Sequence, residues 1–328
     1  MVRLVARRTA WSVLVLFAAS TLCFVIVRVT TDPLTVTRAS LNRGDVDPEA
    51  AARLLADERD RLGLHRPLAA QYGHWLAGVA HGDWGESLES HRPVAADVRS
   101  RLWNTVQLIA FGIVLAVAVA ILVGVVSGAR QYSAADHALS GLSFVALSMP
   151  SFWFALMAIE VLIYFPRHAL HLDHPLLYSV GLHSPSGGLL DYARHLALPV
   201  MTLSLPLVAA WSRYIRASMI DALSAPYVQA ATAKGLSRRQ VLLGHVLRNA
   251  LIPFTTVSAV GIGQLFGGVI VTEAIFSWPG MGQLLLQALS DGDTNMLLAW
   301  LMVAATFALG LNLLADILNG VLDPRARS

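Results

Sequence analysis

Long apolar runs are the feature that most constrains what this chain can fold into. A helix needs about 20 predominantly apolar residues to span the hydrocarbon core of a bilayer. Runs of about that length recur six times, and they predict transmembrane spans at 9–29, 102–129, 138–165, 195–216, 249–273 and 294–318. The sequence therefore predicts an all-α integral membrane protein with six transmembrane helices.

The composition agrees with this fold class and argues against others. Hydrophobic residues make up 55% of the chain and charged residues only 14%, whereas a soluble domain carries roughly 25% charged residues. The basic residues behind the net charge of +3 are spread over many segments, so nucleic-acid binding is not expected. Cys23 is the only cysteine and lies in an apolar run, which excludes a disulfide framework and a cysteine-based metal site.

Catalytic motifs give no support to an enzyme. The sequence contains no G-x-S-x-G, no H-E-x-x-H and no P-loop of the form G-x-x-x-x-G-K-[ST]. The chain is therefore not expected to be an enzyme by itself.

Arginine and lysine are distributed unevenly between the short loops, and this bias predicts the orientation. The basic residues on the predicted inner side are Arg3, Arg7, Arg8, Arg130, Arg213, Arg216, Lys234, Arg238, Arg239, Arg248, Arg325 and Arg327. The last outer loop has none, and the long first outer segment weighs little in this rule. Both termini are therefore expected in the cytoplasm. The inner segments are then 1–8, 130–137, 217–248 and 319–328, and the outer ones are 30–101, 166–194 and 274–293.

Two local patterns predict further helical features. In the first outer segment, residues 47–64 are typical of a soluble helix, with Asp47 as its N-cap and Pro48 in its first turn. Small-residue pairs at Gly124/Gly128 and Gly263/Gly267 would let membrane helices approach closely.

The polar segment, residues 217–248, stands out between the fourth and fifth spans. Its alanine-rich part predicts a short helix, Gly235 is expected to break it, and Ser237 can cap a second helix. Ala230, Ala231 and Gly235 leave one side almost without side chains, which suits insertion into a groove on another protein. The residues alone leave an alternative open, namely a basic amphipathic helix that lies on anionic lipid.

The polar segment resembles the cytoplasmic "EAA" motif of ABC-importer permeases, in the form Gln229-Ala230-Ala231-x-x-x-Gly235. The stretch "YVQAATAKGLSRRQVLLGHVLRNALIP" is most similar to the dipeptide and oligopeptide branch. Further matching pieces are "RLGLHRPLAAQYGHWL", "GDWGESL", "SMPSFW", "VTEAIFSWPGMGQLL" and "NLLADILNGVLDPR", in family order along nearly the whole chain. The chain departs from the broader motif at Gln229, where that motif has an acid, and Pro253 closes the motif later than in sugar permeases.

The resemblance, closest to the B-type permease subunit, implies a type I ABC importer permease fold with a long extracytoplasmic insertion after the first helix. It implies import of di- or oligopeptides across the bacterial cytoplasmic membrane by alternating access. No cofactor is implied on this chain, since ATP and Mg²⁺ bind partner subunits. The implied partners are a second permease in a heterodimer, two ATPase subunits, an extracytoplasmic solute-binding protein and membrane lipid. The implied ATPase-coupling residues are Tyr227, Gln229, Ala230, Ala231, Lys234, Gly235, Leu236 and Arg238.

Two carboxylates fall in or near the predicted spans. Glu160 lies late in the third span, where a carboxylate either contacts the amino terminus of a peptide in the translocation path or reaches water at the outer interface. Glu273 ends the fifth span, just before a turn with Pro279 and Gly280. It either belongs to a gate with that turn or is an exposed charge at the outer end.

Histidines cluster in the second outer loop. His168, His171 and His174 recur at a spacing of three, which would place them on one face of a helix and could bind a transition metal. They support an alternative function as permease of a nickel, other metal or small-solute importer on the same scaffold. Pro166 and Pro175 bracket the run, which favours a solvated loop without a metal.

Overall fold

The structure, a computed structural model, describes residues 2–44, 47–169, 171, 175–185 and 187–322, and it contains only helices and loops over these residues. The helices are α1 Val2–Thr30, α2 Thr35–Arg43, α3 Pro48–Arg61, α4 Leu68–Ala80, α5 Val94–Ala129, α6 Ala134–Ser148, α7 Ser151–Ile159, α8 Phe165–Ala169, α9 Leu189–Leu223, α10 Pro226–Ala233, α11 Arg238–Val241, α12 Leu247–Ile275, α13 Met281–Asp291 and α14 Thr294–Leu322. Two π-helical turns, Glu160–Tyr164 and Leu242–Val246, join α7 to α8 and α11 to α12.

By length and composition, four segments within the described residues can cross a bilayer. They are Ala6–Ala39, Val94–Ala129, Leu189–Leu223 and Thr294–Leu314. Two bent pairs, Ala134–Ser148 with Ser151–Ala169 and Arg238–Ile262 with Gly267–Ile275, bring the number to six if each pair is one span. The all-α fold class is confirmed, and the exact span boundaries stay predictions.

The third predicted span, 138–165, is not one straight helix. The axes of its two halves differ by 107° between Ser148 and Ser151. Pro150 accounts for the break, because a proline disfavours the helical conformation in the residue before it. Met149 is accordingly extended, with φ −85° and ψ 127°. The apolar pattern alone does not reveal this bend.

The chain divides into two compact units, of which the first is built mainly from Val106–Trp278. Its core forms where α9 packs against α12 and against the second half of α5, around the buried side chains of Trp211, Ile215 and Met219. The indole of Trp211 meets the ring of Phe254 edge-on, with centroids 5.6 Å apart. This core holds the two helices that flank the polar segment.

Two glycines let α5 and α9 approach closely. A Cβ on Gly124 would lie 2.6 Å from the Cβ of Ile215, and one on Gly128 would lie 2.6 Å from the Cβ of Met219. Real Cβ atoms do not tolerate such distances, so the close approach predicted for this pair is confirmed. Gly267, from the second predicted pair, would meet nothing within 4 Å in the described part of the chain.

The second unit is built from Ala6–Thr105 and Pro279–Leu309. An aromatic cluster joins α1 to α4, with the ring of Phe24 5.4 Å from Tyr72 and 5.5 Å from Trp75. The Ser20 hydroxyl lies 2.9 Å from the Tyr72 hydroxyl, within hydrogen-bond distance. The outer segment therefore folds back onto the first apolar helix rather than standing free.

The predicted soluble helix is confirmed as α3. The Asp47 carboxylate accepts hydrogen bonds from the backbone N–H groups of Glu49 and Ala50, and Pro48 occupies the first turn. At the other end, Arg61 donates two hydrogen bonds to Glu58, both at 2.9 Å. That carboxylate raises the pKa of the Arg61 guanidinium, so this arginine stays charged and held in place.

Asp293 anchors the loop before α5 to the start of α14. It is 3% exposed, and its carboxylate accepts hydrogen bonds from the N–H groups of Leu88 and Met296, both at 3.0 Å.

We expect Asp293→Ala to lower the free energy of unfolding by about 1–3 kcal/mol, because it removes a helix cap and leaves a buried N–H unpaired. Thermal unfolding in detergent, followed by tryptophan fluorescence, measures the change. Asp291→Ala, at an exposed position two residues earlier, should leave the midpoint unchanged, and equal effects would contradict the anchor.

Candidate functional site

The polar segment folds as two helices around a glycine turn. α10 ends at Ala233, and Gly235 follows with a left-handed φ of +83° that side chains rarely adopt. Ser237 then caps α11 in a capping box, in which its hydroxyl accepts from the Gln240 N–H and the Gln240 side chain accepts from the Ser237 N–H. The predicted helix, break and cap are all confirmed.

One side of this segment is built into the core of the first unit. Val228, Ala231 and Val241 are 9%, 8% and 5% exposed, and they lie in the same hydrophobic cluster as Ile215 and Met219 of α9. Ala231 therefore does not belong to the open side on which the sequence placed it. Its short side chain lets α10 sit close to its own scaffold.

The other side is open. The exposed residues of the predicted coupling set are Tyr227, Gln229, Ala230, Lys234, Gly235 and Arg238, while Leu236 is half-buried against the core. Among the residues that the structure describes, a Cβ on Gly235 would meet nothing within 4 Å. The exposed face is thus flat at Ala230 and Gly235, and the exposed side chains that surround these two residues are polar. Such a face suits contact with another protein.

A further contact ties the polar segment to α5. The Arg238 guanidinium donates to the carbonyl oxygen of Ala129, the last residue of α5, at 3.2 Å. Together with the buried side chains, this bond fixes the segment to both α9 and α5. These contacts connect the segment to the ends of both helices.

A buried ion pair that sequence reasoning missed lies beside these helix ends. Asp136 is 2% exposed, and its carboxylate accepts two hydrogen bonds from Arg216, at 2.6 and 2.7 Å. The N–H of Tyr132 donates to the same carboxylate at 2.9 Å, and the Ser127 hydroxyl donates as well. The cluster joins α5, α6 and α9. Its only sequence signal is an acid at the start of an apolar run.

The two carboxylates of the predicted path differ sharply in exposure. Glu160 is exposed and begins the π-helical turn after α7. Glu273 is 0% exposed near the end of α12, so the alternative of an exposed outer-end charge is wrong. Its backbone carbonyl accepts from the N–H of Trp278 at 2.9 Å, which closes the turn after the helix.

The predicted turn at Pro279 and Gly280 leads into a helix that the sequence analysis did not anticipate. α13, Met281–Asp291, lies within the predicted outer loop 274–293, and it buries Met281, Leu284 and Ala288. Its apolar residues recur three and four positions apart, which is the signal that would have found it.

A cavity of about 180 Å³ lies between α9 and α12 in the first unit. Thr202 and Pro206 line one wall, and Gly261 and Gly268 line another. The Thr202 hydroxyl is buried with no hydrogen-bond partner among the described residues. Pro206 has no N–H, so the Thr202 carbonyl also lacks its usual helical donor. The lining of the cavity is mainly apolar, and the buried Thr202 hydroxyl belongs to its wall.

The structure does not bring the histidines together. α8 ends at Ala169, and His171 has a left-handed φ of +48°, so His168 and His171 do not share a helix face. His174 lies outside the described residues. No group of three metal-ligating side chains occurs in the part of the chain that the structure describes.

Comparison with known proteins places the chain in a transport family. Residues 120–328 match the family described as "Binding-protein-dependent transport system inner membrane component", and residues 1–109 match the corresponding N-terminal family. The chain is 35% identical to the dipeptide transport system permease protein DppB of Escherichia coli (strain K12), over 86% of each chain. It is 33% identical to the oligopeptide transport system permease protein AppB of Bacillus subtilis (strain 168), over 98% of each chain.

A third relative is the oligopeptide transport system permease protein OppB of Mycobacterium bovis, 33% identical over 100% of this chain and 99% of that protein. Among solved structures, a chain of the inward-facing MetNI methionine ABC transporter covers 69% of this chain and 96% of its own length, at 16% identity and a TM-score of 0.49. The family consists of membrane permease subunits rather than enzymes. The chain belongs to the family of inner membrane components of binding-protein-dependent transport systems.

Proposed function

We propose that this chain is a permease subunit of an ATP-driven importer that moves di- or oligopeptides across the cytoplasmic membrane by alternating access. The peptide assignment is supported by the names of relatives that are 33–35% identical over most of the chain. A metal importer is not favoured, since the relatives carry peptide names and His168 and His171 do not share a helix face.

The observation that carries the coupling mechanism is the two-sided construction of the polar segment. Its inner side packs on α9, and its outer side is open around Ala230 and Gly235. We infer that the open side docks on an ATPase subunit, and that closure of the ATPase pair moves α9 and α12 through the buried side.

The remaining partners follow from the same proposal. A second permease would complete the path as a heterodimer, and two ATPase subunits would bind ATP and Mg²⁺. A solute-binding protein would deliver the peptide to the outer segment 30–101. The proposed orientation places both termini in the cytoplasm, because the short inner segments carry the surplus of arginine.

The cavity between α9 and α12 is the proposed position of the translocation path within this chain. Its walls belong to the helices that the polar segment would move, and the Thr202 hydroxyl, which has no partner among the described residues, could hydrogen-bond a peptide backbone. The burial of Glu273 supports a role in the gate at the outer end of α12. Glu160 is exposed on the surface of this chain, and its contact with a peptide in the path stays a prediction.

Gly235→Asp tests the coupling proposal. The substitution adds a charge and a side chain to the open face, so we expect peptide uptake by the reconstituted transporter to fall about tenfold or more, with membrane insertion unchanged. Uptake and ATP hydrolysis are measured on the same proteoliposomes. Gly181→Asp is the matched control, because Gly181 has a similar φ of +80° and open space around its Cβ position.

Normal uptake in Gly235→Asp would contradict the docking surface. Equal losses in Gly235→Asp and Gly181→Asp would show that strain at a left-handed glycine, rather than contact with the ATPase, causes the defect. Loss of uptake with retained ATP hydrolysis in Gly235→Asp alone is the expected result.

A further inference from the structure

Two cavities that share a wall lie at the end of α1, within the second unit. Their volumes are about 270 and 570 Å³, and both are lined by Arg28, Arg66 and Gln71. The larger one falls within the size range of ligand-binding pockets. Neither belongs to the polar segment or to the cavity between α9 and α12.

The larger cavity has a strong excess of positive charge. Arg28, Arg38, Arg59 and Arg66 line it, against the single carboxylate of Asp32. That carboxylate already accepts from Arg38 at 2.6 Å. The smaller cavity also contains Asp60 and Asp83, so the attraction for an anion is centred on the larger one.

Hydrogen-bonding groups at the shared wall are unsatisfied. Nε and Nη1 of Arg28 are buried and have no acceptor among the residues that the structure describes, and Oε1 of Gln71 has no donor there. The other atom of that amide is committed, since Nε2 of Gln71 donates to the carbonyl of Arg66 at 2.8 Å. Buried groups without partners are costly, and a ligand with an anionic oxygen next to a hydroxyl would satisfy both.

The helix that carries Arg28 also presents an apolar surface beside the cavity. Leu22, Ile26 and Val29 are 60%, 50% and 70% exposed on α1. These side chains belong to an apolar span, where lipid acyl chains are the natural neighbours. Arginine side chains at the end of such a span reach toward headgroups.

We propose that the larger cavity binds the headgroup of an anionic phospholipid. The phosphate pairs with Arg28 and Arg66, a headgroup hydroxyl donates to Gln71, and the acyl chains lie along the exposed side of α1. Phosphatidylglycerol has this combination of a phosphate and neighbouring hydroxyls. The site would fix the outer segment to the membrane surface through a specific lipid.

Native mass spectrometry of the full-length chain in detergent, titrated with dioleoyl-phosphatidylglycerol, tests the proposal. We expect one tightly bound lipid, and a loss of affinity of about tenfold or more in Arg28→Gln, because a charge-assisted hydrogen-bond donor is removed. Arg66→Gln should also weaken binding, and it provides a second test because Arg66 is exposed and its replacement does not disturb the core. Arg53→Gln, at an arginine that is 80% exposed on α3 and outside both cavities, is the matched control.

Competition experiments distinguish the possible sources of the anion. Dioleoylglycerol, which lacks the phosphate, should bind at least tenfold more weakly, and neither inorganic phosphate nor dialanine should displace the lipid at equal concentration. Equal binding of dioleoylglycerol, or equal affinity in Arg28→Gln, Arg66→Gln and Arg53→Gln, would overturn the proposal. Displacement by inorganic phosphate or by dialanine would overturn the lipid assignment, because the cavity would then be a site for free anions or for peptide carboxylates.

Discussion

Replacing Arg216 with alanine is expected to lower the free energy of unfolding by about 3 kcal/mol, since it leaves the buried Asp136 carboxylate without its cationic partner. The side chain of Arg216 is itself 28% exposed, which places the loss at the lower end for a buried pair. Asp136 is 2% exposed and accepts two hydrogen bonds from this guanidinium, at 2.6 and 2.7 Å. Removal of one member of a buried pair costs far more than the pair contributes as a whole. The double variant Asp136→Ala/Arg216→Ala should therefore recover much of the loss.

Unfolding by sodium dodecyl sulfate in mixed micelles, followed by tryptophan fluorescence, measures these differences. Arg213→Ala is the matched control on the same helix, because its guanidinium is exposed and lies 4.3 Å from the centre of the Phe144 ring. Loss of such a contact costs only about 0.5–1 kcal/mol. Equal effects of the Arg216 and Arg213 substitutions, or no recovery in the double variant, would contradict the buried ion pair.

Gly124→Val is expected to destabilise the chain by about 3 kcal/mol, because it forces α5 away from α9. The first added carbon alone would lie 2.6 Å from the Cβ of Ile215 and 2.8 Å from the carbonyl oxygen of Ser212. A backbone oxygen cannot move aside as the end of a flexible side chain can. The helices must separate, and the packing around Trp211 is lost with them.

Gly141→Val provides the matched comparison, since a Cβ on this exposed glycine of α6 meets nothing within 4 Å among the described residues. It should unfold at the detergent concentration of the unmodified chain. Combining Gly124→Val with Ile215→Ala should not restore the lost stability, because alanine keeps the Cβ that lies 2.6 Å away and the carbonyl oxygen of Ser212 stays in place. The close contact would be refuted if the Gly124→Val and Gly141→Val variants unfolded at the same detergent concentration.

Much of the fold can be predicted from the sequence, because its strongest determinants are local. Apolar runs predict the membrane helices, Asp47 and Ser237 predict the caps of α3 and α11, and Gly235 predicts the turn between α10 and α11. These residues act through the conformation of their own backbone or of residues a few positions away. The bend at Pro150 is local too, but the long apolar pattern around it masks the signal.

The candidate site is less predictable, because its remaining features depend on contacts between distant residues. Asp136 and Arg216 are 80 positions apart, and neither has a neighbour in sequence that indicates the pairing. The burial of Ala231 follows from the approach of α10 to α9, which helix periodicity cannot specify. The full burial of Glu273 likewise depends on how the end of α12 packs.

The two-sided polar segment determines which of its own substitutions the fold tolerates. Packing in the core constrains the buried residues Val228, Ala231 and Val241. Gln229 is exposed, and its side chain does not contribute to core packing. An acid at position 229 can therefore be exchanged for an amide without a penalty in folding. The buried residues of the segment are therefore constrained by core packing and the exposed ones are not, so the exposed face can change in sequence while the helices behind it keep their packing.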